Sequence, residues 1–71
     1  MTYQEFLKLV DQTSNQFNWR YGQALMNVLH GVCPEKYNKI VSTNIDPYYN
    51  DETVPKVLRL LAEQWESRND Q

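Results

Sequence analysis

The chain has 71 residues, so it holds one domain at most. Seven basic against nine acidic residues give a net charge of -2, which lacks the broad positive footprint of a nucleic-acid-binding surface, and the single cysteine excludes an intrachain disulfide. No apolar run approaches the roughly 20 residues that cross a bilayer, and the start Met1-Thr2-Tyr3-Gln4-Glu5 lacks the basic and apolar segments of a secretory signal.

The expectation is therefore an intact, soluble, cytoplasmic protein with no membrane partner, whose lone thiol fits a reducing compartment. A core of this size supplies about 3–5 kcal/mol, so a partner subunit would add useful stability and a homodimer stays open.

Thr2 followed by Glu5 predicts a capping box and a helix that starts at Tyr3. Tyr3, Phe6, Leu7 and Val10 then repeat at i, i+3, i+4 and i+7, with Lys8, Asp11 and Gln12 off the stripe. The stripe fades in Thr13-Ser14-Asn15-Gln16, where the helix is expected to end. Asn18 is the expected N-cap of a second helix, with Phe17 stapling its start. From Tyr21 the positions Tyr21, Ala24, Leu25, Val28, Leu29 and Val32 keep helical spacing, and Gly31 with Pro34 closes the segment. Gly22 in the first turn costs about 1 kcal/mol relative to alanine, so a close approach by another helix or a ligand is expected there.

Pro34 suits the first position of a short third helix, with Glu35 near its positive end and Tyr37, Ile40 and Val41 on one face. In the following segment, 42–50, Asn44, Asp46, Pro47 and Asn50 are turn formers, while Ile45, Tyr48 and Tyr49 are apolar plugs, so an ordered connector is predicted. The last helix is expected to start between Asp51 and Thr53, with Pro55 in its first turn and a stripe of Val54, Val57, Leu58, Leu61 and Trp65. The tail from about Glu66 to Gln71 has nothing apolar to bury and is expected to fray. Without strand alternation or internal repeats, these segments predict an all-α, compact single-domain bundle of three to four helices. The second and fourth helices are expected at its centre, with the third as a brace.

Little in the chain carries catalytic or cofactor chemistry. His30 is the only histidine, and Cys33 lies three residues on, but Gly31 and Pro34 unwind the helix between them and no oxyanion motif is near. The simpler reading makes Cys33 a small buried hydrophobe and His30 a helix-end residue. A structural zinc needs four ligands, and no second Cys or His pair exists, so no metal is expected. Gly22 and Gly31 stand in no phosphate-binding loop, and Asp46, Asp51 and Glu52 fit turns and a helix start better than an acid–base pair. The expectation is a non-enzyme without a cofactor.

Two binding readings follow. The second and third segments can be drawn as a helix-turn-helix whose Lys36, Asn38 and Lys39 would face nucleic acid, although the acidic balance disfavours it. A protein interface is favoured, nucleated by the Trp19-Arg20-Tyr21-Gly22-Gln23 cluster, because Trp, Tyr and Arg most often anchor such surfaces. Trp19 and Gln23 share a helical face, whereas Tyr21 falls on the core stripe. Arg20 either faces the partner or pairs with Asp46 to tether the connector. Met26, with Leu9 and Leu60, lies off the main stripes and makes a second candidate surface, so Trp19, Arg20, Gln23 and Met26 are the expected contact residues.

The run Trp19-Arg20-Tyr21-Gly22-Gln23-Ala24-Leu25-Met26-Asn27-Val28-Leu29, then Pro34, then Thr43-Asn44-Ile45-Asp46-Pro47-Tyr48-Tyr49, resembles small uncharacterised proteins of bacteria and their phages. Those share an R-Y-G-Q-x-x-x-N-x-L helix, a spaced proline and a G-T-x-x-D-P-F-Y loop. The resemblance spans roughly residues 17 to 65, and Ser42 stands where the loop often carries glycine. It implies an origin class and no reaction. It also implies that Arg20, Tyr21, Gly22, Gln23 and Asn27 form one unit with Asp46, Pro47 and Tyr48.

Overall fold

The computed structural model describes residues 1–41 and 43–69, the side chains of 66–69 excepted. Helix α1 spans Tyr3–Phe17 and starts where the capping box places it. The Glu5 amide donates to the Thr2 hydroxyl at 3.1 Å, and the Thr2 amide donates to the Glu5 carboxylate at 2.8 Å. Two orphan helix-start donors are thereby satisfied.

α1 outlasts its apolar stripe and ends only at Phe17, because Asn18 adopts the left-handed conformation (φ 58, ψ 40). The amides of Asn18 and Trp19 both donate to the Ser14 carbonyl, and the Ser14 hydroxyl donates to the Trp19 carbonyl at 2.8 Å. This is a Schellman-type stop, for which asparagine is the usual substitute when glycine is absent. Asn18 thus ends the first helix and does not cap the second, correcting the expected role. Phe17 belongs to α1 as its last residue.

α2, Tyr21–Val32, buries Gly22, Ala24, Leu25, Met26, Val28 and Leu29. Buried positions on so much of its circumference make it the central helix. Val32, counted in the stripe, is exposed at its end. A single residue, Cys33, separates α2 from α3 (Pro34–Ile40), its amide donating back to Leu29 and its carbonyl accepting from Tyr37. A 3₁₀ turn at Asp51–Thr53, capped by the Asn50 side chain through the Glu52 amide at 2.9 Å, leads into α4, Val54–Asn69. Pro55 sits in the first turn of α4, where its missing donor costs nothing. The tail expected to fray from about Glu66 stays helical to Asn69, and its last two positions, 70 and 71, lie outside the described residues.

Four helices and no strand among the described residues make an all-α single-domain bundle. The core joins Phe6 and Val10 of α1 to Ala24, Leu25, Met26 and Leu29 of α2, Ile40 of α3, and Val57, Leu61 and Trp65 of α4. α1 packs on both α2 and α4, and its pairing with α2 is the most extensive, so the expected α2–α4 centre is an α1–α2 centre. Phe6 stacks on Trp65 with ring centroids 4.9 Å apart, and Tyr3 tilts against Trp65 at 5.7 Å. The polar tips are also used: the Tyr3 hydroxyl donates to the Leu58 carbonyl at 2.9 Å and the Trp65 indole to the Met1 carbonyl at 3.0 Å.

Lys36 is only 7% exposed, with its ammonium 5.3 Å from the Trp65 ring centroid. Its aliphatic stem and a cation–π contact brace α3 against α4. The expected nucleic-acid face therefore loses Lys36, and only Asn38 and Lys39 of that trio are exposed. Among the described residues, no helix is long and apolar enough to cross a membrane.

Candidate binding cleft

The start of α2 positions the candidate site. Arg20 occupies the N-cap position and has no side-chain oxygen with which to cap, so the helix needs an acceptor from elsewhere. Asp51 supplies it: its Oδ1 accepts from the Gly22 amide at 3.0 Å. The same oxygen lies 3.4 Å from the Arg20 guanidinium, whose other nitrogen donates to the Tyr48 carbonyl at 2.8 Å. A carboxylate at a helix N-terminus also meets the favourable end of the macrodipole.

This contact explains the glycine. A Cβ at Gly22 would sit inside contact distance of the Pro47 carbonyl oxygen and 2.5 Å from Asp51 Oδ1. The close approach expected there is thus made by the connector, not by a second helix. Arg20 does tether the connector, but through Asp51 and the Tyr48 carbonyl, which corrects the expected pairing with Asp46. Asp46 accepts from the Tyr48 amide at 3.0 Å, an Asx turn within the connector. Pro47 is fully buried beneath it.

So anchored, the connector faces α2 and α3 across a cleft of about 280 Å³ lined by Met26, Asn27, Tyr37, Val41, Asp46, Tyr48 and Tyr49. Three tyrosines stand on its walls, and among the described lining residues Asp46 is the only ionisable group besides the phenols. Tyr48 and Tyr49 meet edge to face, with centroids 4.8 Å apart and planes at 67°. Tyr49, expected as a plug, is 85% exposed, because the plugging is done by Pro47 with Ile45 and Tyr48.

Comparison with protein-family models, with curated proteins and with solved structures gives no match.

The expected contact residues separate. Trp19 is half-buried against the core and stacks on Phe17 at 4.8 Å, leaving Phe17 as the more exposed ring, 53% accessible. Gln23 is half-buried on α2, and Arg20 is exposed but engaged. Met26 is only 1% exposed, which corrects its placement on an outer surface; it lies in the cleft's lining instead. Leu9 and Leu60 are half-buried. Asn27 is exposed and lines the cleft with Asp46 and Tyr48, so three residues of the proposed helix–loop unit meet there. Tyr21 is half-buried against the core, as its register requires; burial, with smaller contributions from the Asp11 carboxylate and Tyr3, pushes its phenol above the ordinary value.

His30 is exposed and meets the Tyr37 ring edge-on at 4.7 Å, while Cys33 is a half-buried free thiol. Among the described residues, no three His, Cys, Asp or Glu side chains are grouped to hold a metal. Sequence reasoning missed Tyr37 as a cleft residue and Asp51 as the tether. The Asp51 signal was available: once Asn18 ends α1, α2 begins without a capping side chain of its own.

Proposed function

We propose that the chain is a small, non-catalytic protein-binding module that acts stoichiometrically, with the tyrosine cleft and the projecting Tyr49 as its contact surface. The observation that carries this reading is Tyr49. A large ring held 85% exposed on a hydrogen-bonded loop buries almost nothing within its own fold, and Tyr is among the residue types that dominate interface energetics. The half-buried Trp19 and exposed Phe17 at the α1–α2 turn supply a second apolar contact. The origin class that the resemblance implies points to a bacterial cytoplasm, including that of an infected host, and together with the small size suggests modulation of a host or defence protein as the purpose.

The test is capture from bacterial lysate by the immobilised chain, with Tyr49→Ala, Trp19→Ala and, as a control, Gln4→Ala at an exposed position in the first turn of α1. The reading expects a captured protein that survives Gln4→Ala and is lost with Tyr49→Ala. Equal capture by all four proteins removes the cleft as the contact surface.

A further inference from the structure

We infer that the cleft between α2, α3 and the connector receives an arginine side chain of the protein partner, its guanidinium against the faces of Tyr37, Tyr48 and Tyr49 and in the field of Asp46. The inference rests on the protein-binding reading for the source of that arginine. Three observations converge on the chemistry.

The first is charge. Among the described residues no Lys, Arg or His lines the cleft and one carboxylate does, and the chain as a whole is acidic. The nearby cation Arg20 is turned to Asp51 and the Tyr48 carbonyl, so it stiffens the wall while its charge is offset by Asp51.

The second is the arrangement of rings. Aromatic faces carry the negative part of the ring quadrupole, and a cation within about 6 Å of a centroid is attracted to it. Tyr48 and Tyr49, with planes at 67° and centroids 4.8 Å apart, form a corner, and Tyr37 lines the same cleft from α3. Three rings and a carboxylate around one opening suit a cation better than an apolar plug, which gains nothing from Asp46.

The third is the set of hydrogen-bond groups. The guanidinium is planar, weakly hydrated and rich in donors, and it stacks on aromatic faces, whereas an ammonium is a compact, strongly hydrated point charge. The residue types that line the cleft, three tyrosines, Asn27 and Asp46, include groups that can accept from such donors, Asp46 beyond the bond its Oδ1 takes from the Tyr48 amide. At about 280 Å³ the cleft matches one long side chain and not a large ligand.

The test uses the full chain and needs no partner. Blocked arginine (N-acetyl-arginine amide) is titrated while backbone and ring NMR signals are followed, with blocked citrulline as the neutral near-isostere and blocked lysine as the ammonium control. The inference expects saturable shifts at Asn27, Tyr37, Tyr48 and Tyr49, with citrulline and lysine each bound at least about fivefold more weakly. Tyr49→Ala should weaken the arginine probe by about five- to tenfold, and Tyr49→Phe should retain most of the affinity because the ring is kept. Because Tyr49 is exposed, both variants should melt with the parent, so lost binding reports the cleft and not the fold.

Equal affinity for citrulline, equal affinity for lysine, shifts centred elsewhere, or indifference to Tyr49→Ala each overturn the inference. The two readings fail separately. Partner capture that depends on Tyr49 without any arginine-probe binding refutes the guanidinium site alone, whereas a Tyr49-dependent arginine site with no captured protein supports the site and removes the protein-binding role.

Discussion

Gly22→Ala and Gly31→Ala make the same chemical change in the same helix, and the structure predicts opposite signs. In an ordinary helical position the added methyl stabilises by about 0.5–1 kcal/mol, chiefly by restricting the unfolded chain. Nothing lies within 4 Å of a Cβ at Gly31, and neither glycine has a positive φ, so Gly31→Ala should show that gain. At Gly22 the methyl meets the Pro47 carbonyl oxygen, which is backbone, and Asp51 Oδ1 at 2.5 Å. The carboxylate can swing away, but then α2 loses the acceptor for its Gly22 amide. Overpacking of about 1–3 kcal/mol and a lost cap of about 1 kcal/mol, set against about 1 kcal/mol of propensity gained, leave a net loss of about 1–3 kcal/mol. For a domain of this length that lowers the melting temperature by about 5–20 °C. Thermal and urea unfolding followed by circular dichroism at 222 nm would measure both variants. A Gly22→Ala protein that melts at or above the parent would refute the close approach of the connector and the capping role drawn from it.

Further outcomes follow from the same framework. Asp51→Ala should cost about 1–2 kcal/mol through the lost cap, whereas the half-exposed ion pair with Arg20 contributes at most about 1 kcal/mol; a double-mutant cycle giving a larger coupling would reverse that ranking. Asn18→Ala should destabilise by about 1 kcal/mol because alanine resists the left-handed conformation, while Asn18→Gly should be neutral or stabilising, and equal urea midpoints for the two would count against the Schellman stop. Burial holds the Tyr3 and Tyr21 phenols above their ordinary value, with Asp11 adding to the effect at Tyr21. The unfolded chain then ionises first, so this stabilisation is complete below about pH 10 and is lost as pH rises through the folded values. The urea midpoint should fall on alkaline titration, less steeply in Tyr3→Phe, and an identical profile in that variant would exclude Tyr3 from the effect.

What the sequence made legible was whatever depends on local pattern. The capping box at Thr2 and Glu5, the stripes of α1, α2 and α4, the proline starts and the all-α class all follow from spacing and end chemistry. Asn18 was misassigned because asparagine serves both as an N-cap and as a left-handed stop, and only the three-dimensional path of the chain decides between them. Met26 and Lys36 were misplaced for a related reason. A central helix is covered on more than one face, so Met26 off the main stripe is still buried, and a long lysine stem can lie along a tryptophan while its charge stays useful. The tether to Asp51, rather than Asp46, depends on how the connector turns. Asp46 Oδ1 accepts from the Tyr48 amide in an Asx turn within the connector, and it is Asp51, further along the chain, that reaches the helix start.

The connector's order bears directly on binding. Fixing a residue's backbone costs about 1–2 kcal/mol, so a connector of this length is held still only where many small contributions act together. Here they are named: the Thr43 hydroxyl and amide close a turn on the Ile40 carbonyl, Asp46 closes the next, Pro47 is buried and stiff even in the unfolded chain, and Arg20 and Asp51 pin the far end to α2. None of these contacts uses the Tyr49 ring. The fold therefore meets the ordering cost of the loop with residues other than the one it presents, and a partner that engages Tyr49 has correspondingly less conformational entropy left to overcome. The Arg-Tyr-Gly start of α2 and the Asp-Pro-Tyr-Tyr connector are thus one device, in which the helix residues set the loop's position and leave the Tyr49 ring exposed; under the proposed function that ring carries the contact.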